Sequence, residues 1–264
     1  MRYSRFVAIG DSQTEGMNDG DPKSGYRGWA DRLAESLAAT NPGVRYANLA
    51  VRGKTTHDAL IEQLEPALAL QPDLVAAPLG MNDVIGGSNL ADVHHDLDQI
   101  FGRLVDSGAT VLVSTFPDIA RLIPFGGRIR NRLDDLNAMT REFAHTYDLT
   151  LVDLFSAPVL TDRRSWSSDR LHASASGHDR FAAGAAYALR LPGSSPDWGR
   201  PLPSLPDPNP LLRTVDDARW VVEFFTPWII RKLRGRSLGD GRAPKLPELI
   251  EVAIDLAVDV DNSR

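Results

Sequence analysis

A serine, a histidine and an aspartate can divide the work of acyl transfer, and this chain carries all three in short, separated words: Gly10-Asp11-Ser12 near the start and Asp169-Arg170-Leu171-His172 far downstream. A serine hydroxyl is a poor nucleophile at neutral pH. It needs a base within hydrogen-bond reach, and that base needs an acceptor to orient it. Ser12, His172 and Asp169 supply these parts. Asp169, three residues before the histidine, can hold one imidazole nitrogen and leave the other to take the Ser12 proton. The oxyanion of a tetrahedral intermediate then needs donors aimed at it. The candidates are the backbone N–H groups of Ser12 and Gly53 and the side-chain amide of Asn82, in the word Gly80-Met81-Asn82-Asp83. Each such donor is typically worth ~10²–10³ in rate. Asp11 reads as a group that bonds the loop backbone, and Asp83 as support for the Asn82 loop.

Parts so far apart in sequence need a scaffold that brings them together. Ser12 follows the apolar run Phe6-Val7-Ala8-Ile9, Gly53 follows Val44–Val51, and Asn82 follows Leu74–Leu79. Runs of this length and composition read as buried strands. Two more, Thr110–Thr115 and Thr150–Leu154, come later. Between them lie helical patterns: Trp29, Leu33 and Leu37, then His57–Leu70, Leu90–Val105, Arg130–Tyr147 and finally Gly177–Leu191. Alternation of this kind predicts βαβ units, a parallel sheet and an α/β class with three α/β/α layers. The strand order expected by analogy with other five-stranded doubly wound sheets is 2-1-3-4-5, with ligands at the C-terminal ends of the strands.

The composition changes after Leu191. Residues 1–191 read as one domain and 192–264 as a proline-rich linker with a helical C-terminal extension. Pro192, Pro196, Pro201, Pro203, Pro206, Pro208 and Pro210 suit an extended connector. Thr214-x-x-Asp217 resembles a capping box. Trp220, Phe224, Phe225 and Trp228 form an aromatic stripe that Pro227 should interrupt, with Thr226 capping a second helix, and Arg231, Arg234 and Arg236 make its end basic. Leu246–Val260 is again amphipathic. The stripe has three open fates: packing over the cleft as a lid, contact with a second subunit in a homo-oligomer, or contact with a lipid surface.

Taken in order, the words around Ser12, Gly53, Asn82 and His172 resemble those of the SGNH hydrolases, the GDSL esterase/lipase family, over roughly residues 4–191. The resemblance implies a flavodoxin-like sheet, no metal or other cofactor, and hydrolysis of a small-molecule ester through an acyl-enzyme. Short- or medium-chain carboxylic esters, including acetyl or lipid esters, are the expected substrates. The same groups would serve an acyltransferase, and a binding or scaffold protein with an idle pocket is the reading from another class. There are departures. Gln13 stands where the family has Leu, Ala50 where glycine is frequent, Arg52 where a small residue is frequent, and Ala173 where proline often follows the histidine. Arg52 would place a positive charge beside the acyl pocket and favour an acidic substrate.

Bulk properties narrow the field further. A net charge of −6 over 264 residues offers no electrostatic footprint for nucleic acid. With no cysteine, disulfides, thiol catalysis and thiolate zinc sites are excluded. No apolar stretch reaches the ~18 residues of a membrane span, and the first strand begins too early for a signal segment, so the expected location is cytoplasmic. His57, His94, His95, His145 and His178 all fall in helical patterns, where surface placement is the default, and His94-His95 lacks the spacing of a helical metal pair. Gly86-Gly87 and Gly126-Gly127 lack a following Lys-Ser/Thr, so they mark mobile loops beside the cleft rather than a phosphate loop. The apolar loop Phe116–Gly127 is expected either to line the pocket or to pack.

Overall fold

In the computed structural model the chain is described over residues 3–21, 25–205, 210–234 and 237–253. The elements in chain order are β1 (Arg5–Ala8), α1 (Ser12–Glu15), β2 (Gly20–Asp21), β3 (Gly25–Tyr26), α2 (Trp29–Thr40), β4 (Arg45–Asn48), α3 (Thr56–Asp58), α4 (Leu64–Ala69), β5 (Leu74–Ala76), α5 (Met81–Gly86), α6 (Leu90–Asp106), β6 (Thr110–Ser114), α7 (Gly127–Thr146), β7 (Thr150–Val152), α8 (Ala175–Ala188), α9 (Pro210–Trp220), α10 (Thr226–Leu233) and β8 (Leu246–Glu251). A π-helical turn, Ala59–Gln63, joins α3 to α4.

The central sheet runs β7-β6-β5-β1-β4-β8. Its first five members are parallel and follow the expected 2-1-3-4-5 order. β1 lies in the middle, with Phe6 beside Tyr46 on one side and Leu74 on the other. Phe6, Val7, Ala8 and Ile9 are fully buried because helices cover both faces of the sheet, which is why these strands read as unbroken apolar runs. On one face α2 packs against α8, and on the other α4, α6 and α7 pack together. The amphipathic spacing of α6 sends Val93, Leu97, Ile100 and Leu104 into this core.

The C-terminal region departs from expectation in four places. Residues 246–251 form a strand instead of a helix. β8 pairs antiparallel with β4, Tyr46 opposite Ile250 and Asn48 opposite Leu246, and makes the sheet six-stranded. The edge of β4 is an unpaired row of backbone groups, and pairing it outweighs a helical spacing that Pro247 already weakens; on an outer strand that proline costs little. Second, α9 begins at Pro210, so Thr214 lies inside a helix and not at its N-terminus. Third, Thr226 and Pro227 do not break the chain into two helices. A π-turn, Val221–Phe225, bridges α9 and α10, and the Thr226 hydroxyl donates to the Val221 carbonyl at 2.9 Å. Fourth, part of the connector folds back: Pro196–Gly199 is a 3₁₀ turn that sets Trp198 against Gly184 of α8. Pro206, Pro208, Arg236 and the end of the Leu246–Val260 stretch lie outside the described residues. No helix among the described residues is long and apolar enough to cross a membrane.

Candidate active site

The strand ends deliver the site. Gly10 follows β1 at a φ of 148°, where a side chain would press on Thr14, and its N–H and carbonyl are both held by the Gln63 carboxamide at 2.8 and 2.9 Å. The chain then turns into α1. Asp11 caps this helix by accepting from the Gln13 N–H at 3.0 Å, and Ser12 is its first residue. His172 arrives on the loop before α8, and its Nε2 lies 2.8 Å from Ser12 Oγ. His172 Nδ1 lies 2.7 Å from Asp169 Oδ2. A carboxylate only accepts, so Nδ1 carries the imidazole proton and Nε2 is left to accept from the serine hydroxyl. Both Ser12 and His172 are buried.

Asp169 is tightly held. Its Oδ1 accepts from the N–H groups of Leu171 and His172 at 3.0 and 2.9 Å and from Ser167 Oγ at 2.7 Å. Its Oδ2 also accepts from Asn18 Nδ2 at 2.7 Å. Burial opposes ionisation here, but the His172 ring and these donors outweigh it and keep the carboxyl well below the usual carboxylate range. Asp169 is therefore a fixed negative charge at any pH where an imidazole is neutral.

Ser12, Gly53, Asn82 and His172 face one cavity of about 380 Å³. Gly53 has a φ of 78°, and a side chain there would run into Ser237. Among the described residues the backbone N–H groups of Ser12 and Gly53 donate to no other group. The Asn82 amide differs: it donates to the Lys54 carbonyl at 2.9 Å and to Asp11 Oδ2 at 3.1 Å. Burial pushes the Asp11 carboxyl up to about 6. Asp83 lies below the cavity, where its Oδ2 accepts from the Thr56 N–H at 2.9 Å, and burial raises its pKa too.

A family model for the GDSL-like lipase/acylhydrolase family matches residues 8–180. The chain belongs to this family. As a GDSL-like member it falls among the ester hydrolases, and its sheet and helices resemble those of solved relatives. The acetylxylan esterase Axe2 from Geobacillus stearothermophilus is 20% identical over 76% of this chain and 99% of its own, with a TM-score of 0.60. TesA is 22% identical over 71% and 98%, with a TM-score of 0.59. The α/β hydrolase LAE5 from the metagenome of Lake Arreo, Spain, is 24% identical over 71% and 95%, also at 0.59. A comparison with curated sequences finds no match.

Several features of this GDSL-like hydrolase had no sequence signal. Gln13, at the family's Leu position, reaches across to the histidine loop. Its Nε2 donates to the Leu171 carbonyl at 2.8 Å and its Oε1 accepts from the Ala173 N–H at 3.2 Å, so one carboxamide grips both neighbours of His172. Asn18 acts on Asp169 in the same long-range way. Arg170, between the acid and the histidine, has a φ of 58° and is buried. Its guanidinium binds Asp216 and Asp217 of α9, and Trp220 Nε1 donates to the Asp169 carbonyl at 2.7 Å. The extension thus lies on the loop that carries Asp169 and His172. Trp228 and Arg231 of α10, with Ser237 and Leu238, complete the cavity wall.

Two other expectations are corrected. Arg52 does not offer its charge to the cavity: it is buried against Glu15, whose carboxylate takes both its side chain and its N–H. Its neighbour Tyr26 lies 5.0 Å below the guanidinium. His178 is not at the surface but fully buried, accepting from the Trp29 N–H at 3.2 Å and contacting the Met17 carbonyl at 3.4 Å. The residues of the Phe116–Gly127 loop, for which two fates were open, are not among those facing the Ser12 cavity. Phe116, Pro117 and Ile119 face an apolar hole of about 30 Å³ that adjoins this cavity, with Gln13, Met81 and Leu171 lining both. Gly126 abuts the Ala120 carbonyl at the start of α7, whereas Gly86 faces the main cavity.

Proposed function

We propose that the chain is a serine esterase acting on short- or medium-chain carboxylic esters through an acyl-enzyme. Ser12 Oγ attacks the ester carbonyl while His172 Nε2 takes its proton. Asp169 holds the imidazole in the required tautomer and stabilises the imidazolium that forms. The free N–H groups of Ser12 and Gly53 receive the developing oxyanion, and Asn82 joins them by turning on it the amide N–H that it donates to Asp11 in the free enzyme. His172 then protonates the leaving alcohol, and the acyl–Ser12 ester is released by water that the same imidazole activates. α9 and α10 serve as a fixed lid.

The observation that supports this reading most is the unbroken relay from Ser12 Oγ to His172 at 2.8 Å and from His172 to Asp169 at 2.7 Å, facing a cavity large enough for an ester. The short acyl preference rests on the apolar hole beside Gln13, Met81 and Leu171 being only about 30 Å³, room for a small acyl group. The test is turnover of p-nitrophenyl acetate and butyrate by the purified chain. Ser12→Ala is expected to cut kcat/KM by roughly 10⁴-fold or more. Turnover that survives the substitution would refute the assignment.

A further inference from the structure

We propose that Arg231 is the specificity residue of this site and receives an anionic group carried by the substrate, so that the esters turned over best are anionic ones. The inference rests on the esterase reading and adds the substrate's charge to it.

Arg231 lies half-buried on α10 and faces the same cavity as Ser12 and His172. Two other arginines beside the site are neutralised. Arg52 is closed on Glu15, and Arg170 on Asp216 and Asp217. Lys54, just behind the wall, is held by Glu62 at 2.7 Å and Asp58 at 3.9 Å. Among the described residues the Arg231 guanidinium has neither an ion-pair nor a hydrogen-bond partner.

The carboxylates facing the cavity, Asp11 and Asp58, are already occupied. Asp11 accepts from Gln13 and Asn82, and Asp58 from the N–H and hydroxyl of Thr55. The last turn of a helix favours a cation through the helix dipole, which accounts for the charge but leaves the guanidinium donors unused. A planar fork of N–H donors at the wall of a cavity is a receptor for a carboxylate or phosphate oxygen pair. Trp228, one turn earlier on the same helix face, supplies an apolar wall beside it.

The anion can sit on either side of the scissile bond, and two matched substrate pairs separate these cases. Mono-p-nitrophenyl glutarate against p-nitrophenyl valerate places the charge on the acyl side. 4-Acetoxybenzoate against 4-acetoxybenzamide places it on the leaving group. The full chain is expected to favour the anionic member of one pair by about tenfold in kcat/KM, the scale of a half-exposed charge-assisted hydrogen bond. That ratio should collapse toward one in Arg231→Gln, persist in Arg231→Lys, and shrink as salt is raised. No anionic preference in either pair, or a preference that Arg231→Gln retains, would overturn the proposal. If Arg231→Gln does not fold, the wild-type ratios, their salt dependence and Arg231→Lys still decide. Neutral-ester turnover that depends on Ser12 reports on the esterase reading separately, so the two can fail independently.

Discussion

Two buried histidines six positions apart show how surroundings assign a role. His172 sits on the loop before α8, with a carboxylate on one ring nitrogen and a serine hydroxyl on the other. His178 sits one turn into α8 against the Phe181 ring, and among the described residues its ring nitrogens meet only backbone, the Trp29 N–H and the Met17 carbonyl. Asp169 gives the first ring a charge to lean on when it becomes cationic. The second has no such partner, and burial pulls its pKa down to about 4, so it stays neutral and serves as a pin between α8, α2 and the turn after α1. An imidazole becomes a usable base where a fixed anion and a proton donor face it from opposite sides, and a packing element where they do not.

Substitutions at and around the two rings can break that contrast. His172→Gln is expected to cost roughly 10⁴-fold or more in kcat with the fold intact, as monitored by circular dichroism, because the proton acceptor is gone. If His178→Gln lost as much, the contrast would be void. Gln13→Leu should have the next largest effect, lowering kcat about tenfold with little change in KM, since releasing Leu171 and Ala173 lets the imaging of the ring on Ser12 loosen without touching substrate. A rise in KM alone would show that Gln13 contacts substrate instead.

The smallest effect on activity, within severalfold, belongs to His178→Gln, whose signature lies in stability against pH. As pH falls, an unfolded imidazole takes a proton near 6.5 but native His178 only near 4, so this group lowers stability across that window. Asp11 does the reverse: the native carboxyl takes its proton near 6 and the unfolded one near 3.8, which raises stability as pH falls between them. Each is worth up to about 3 kcal/mol, and the two nearly cancel. Urea titrations should therefore show that His178→Gln makes the slope of stability with pH more negative between pH 4 and 6. An unchanged slope would mean that His178 does not stay neutral in the fold.

Legibility in the sequence followed the range of the interactions. The five parallel strands and their flanking helices were readable because buried runs and helical spacing are local patterns; the words that carry Ser12, Gly53 and Asn82 sit after predictable strands, and the word Asp169-Arg170-Leu171-His172 is itself local. The clamps that hold them were not readable. Gln63 on Gly10, Gln13 on the His172 loop and Asn18 on Asp169 are single carboxamides acting across dozens of residues, with no spacing to betray them. The extension was misread where tertiary contacts outvoted local preference. β8 exists because β4 has an open edge, and α9 is tied down by Arg170 and the Asp169 carbonyl, far from the Thr214 word that suggested its start. Arg52 looked available only because Glu15, its partner, lies 37 residues away in sequence.

The central claim is that Ser12 is made nucleophilic by the His172–Asp169 pair. It is tested most directly by labelling the chain with a fluorophosphonate and following the adduct by intact mass and peptide mapping. The account predicts one adduct, on Ser12, whose rate of formation collapses in His172→Gln. An adduct on another residue, or a Ser12 adduct that forms as fast without the imidazole, would contradict it.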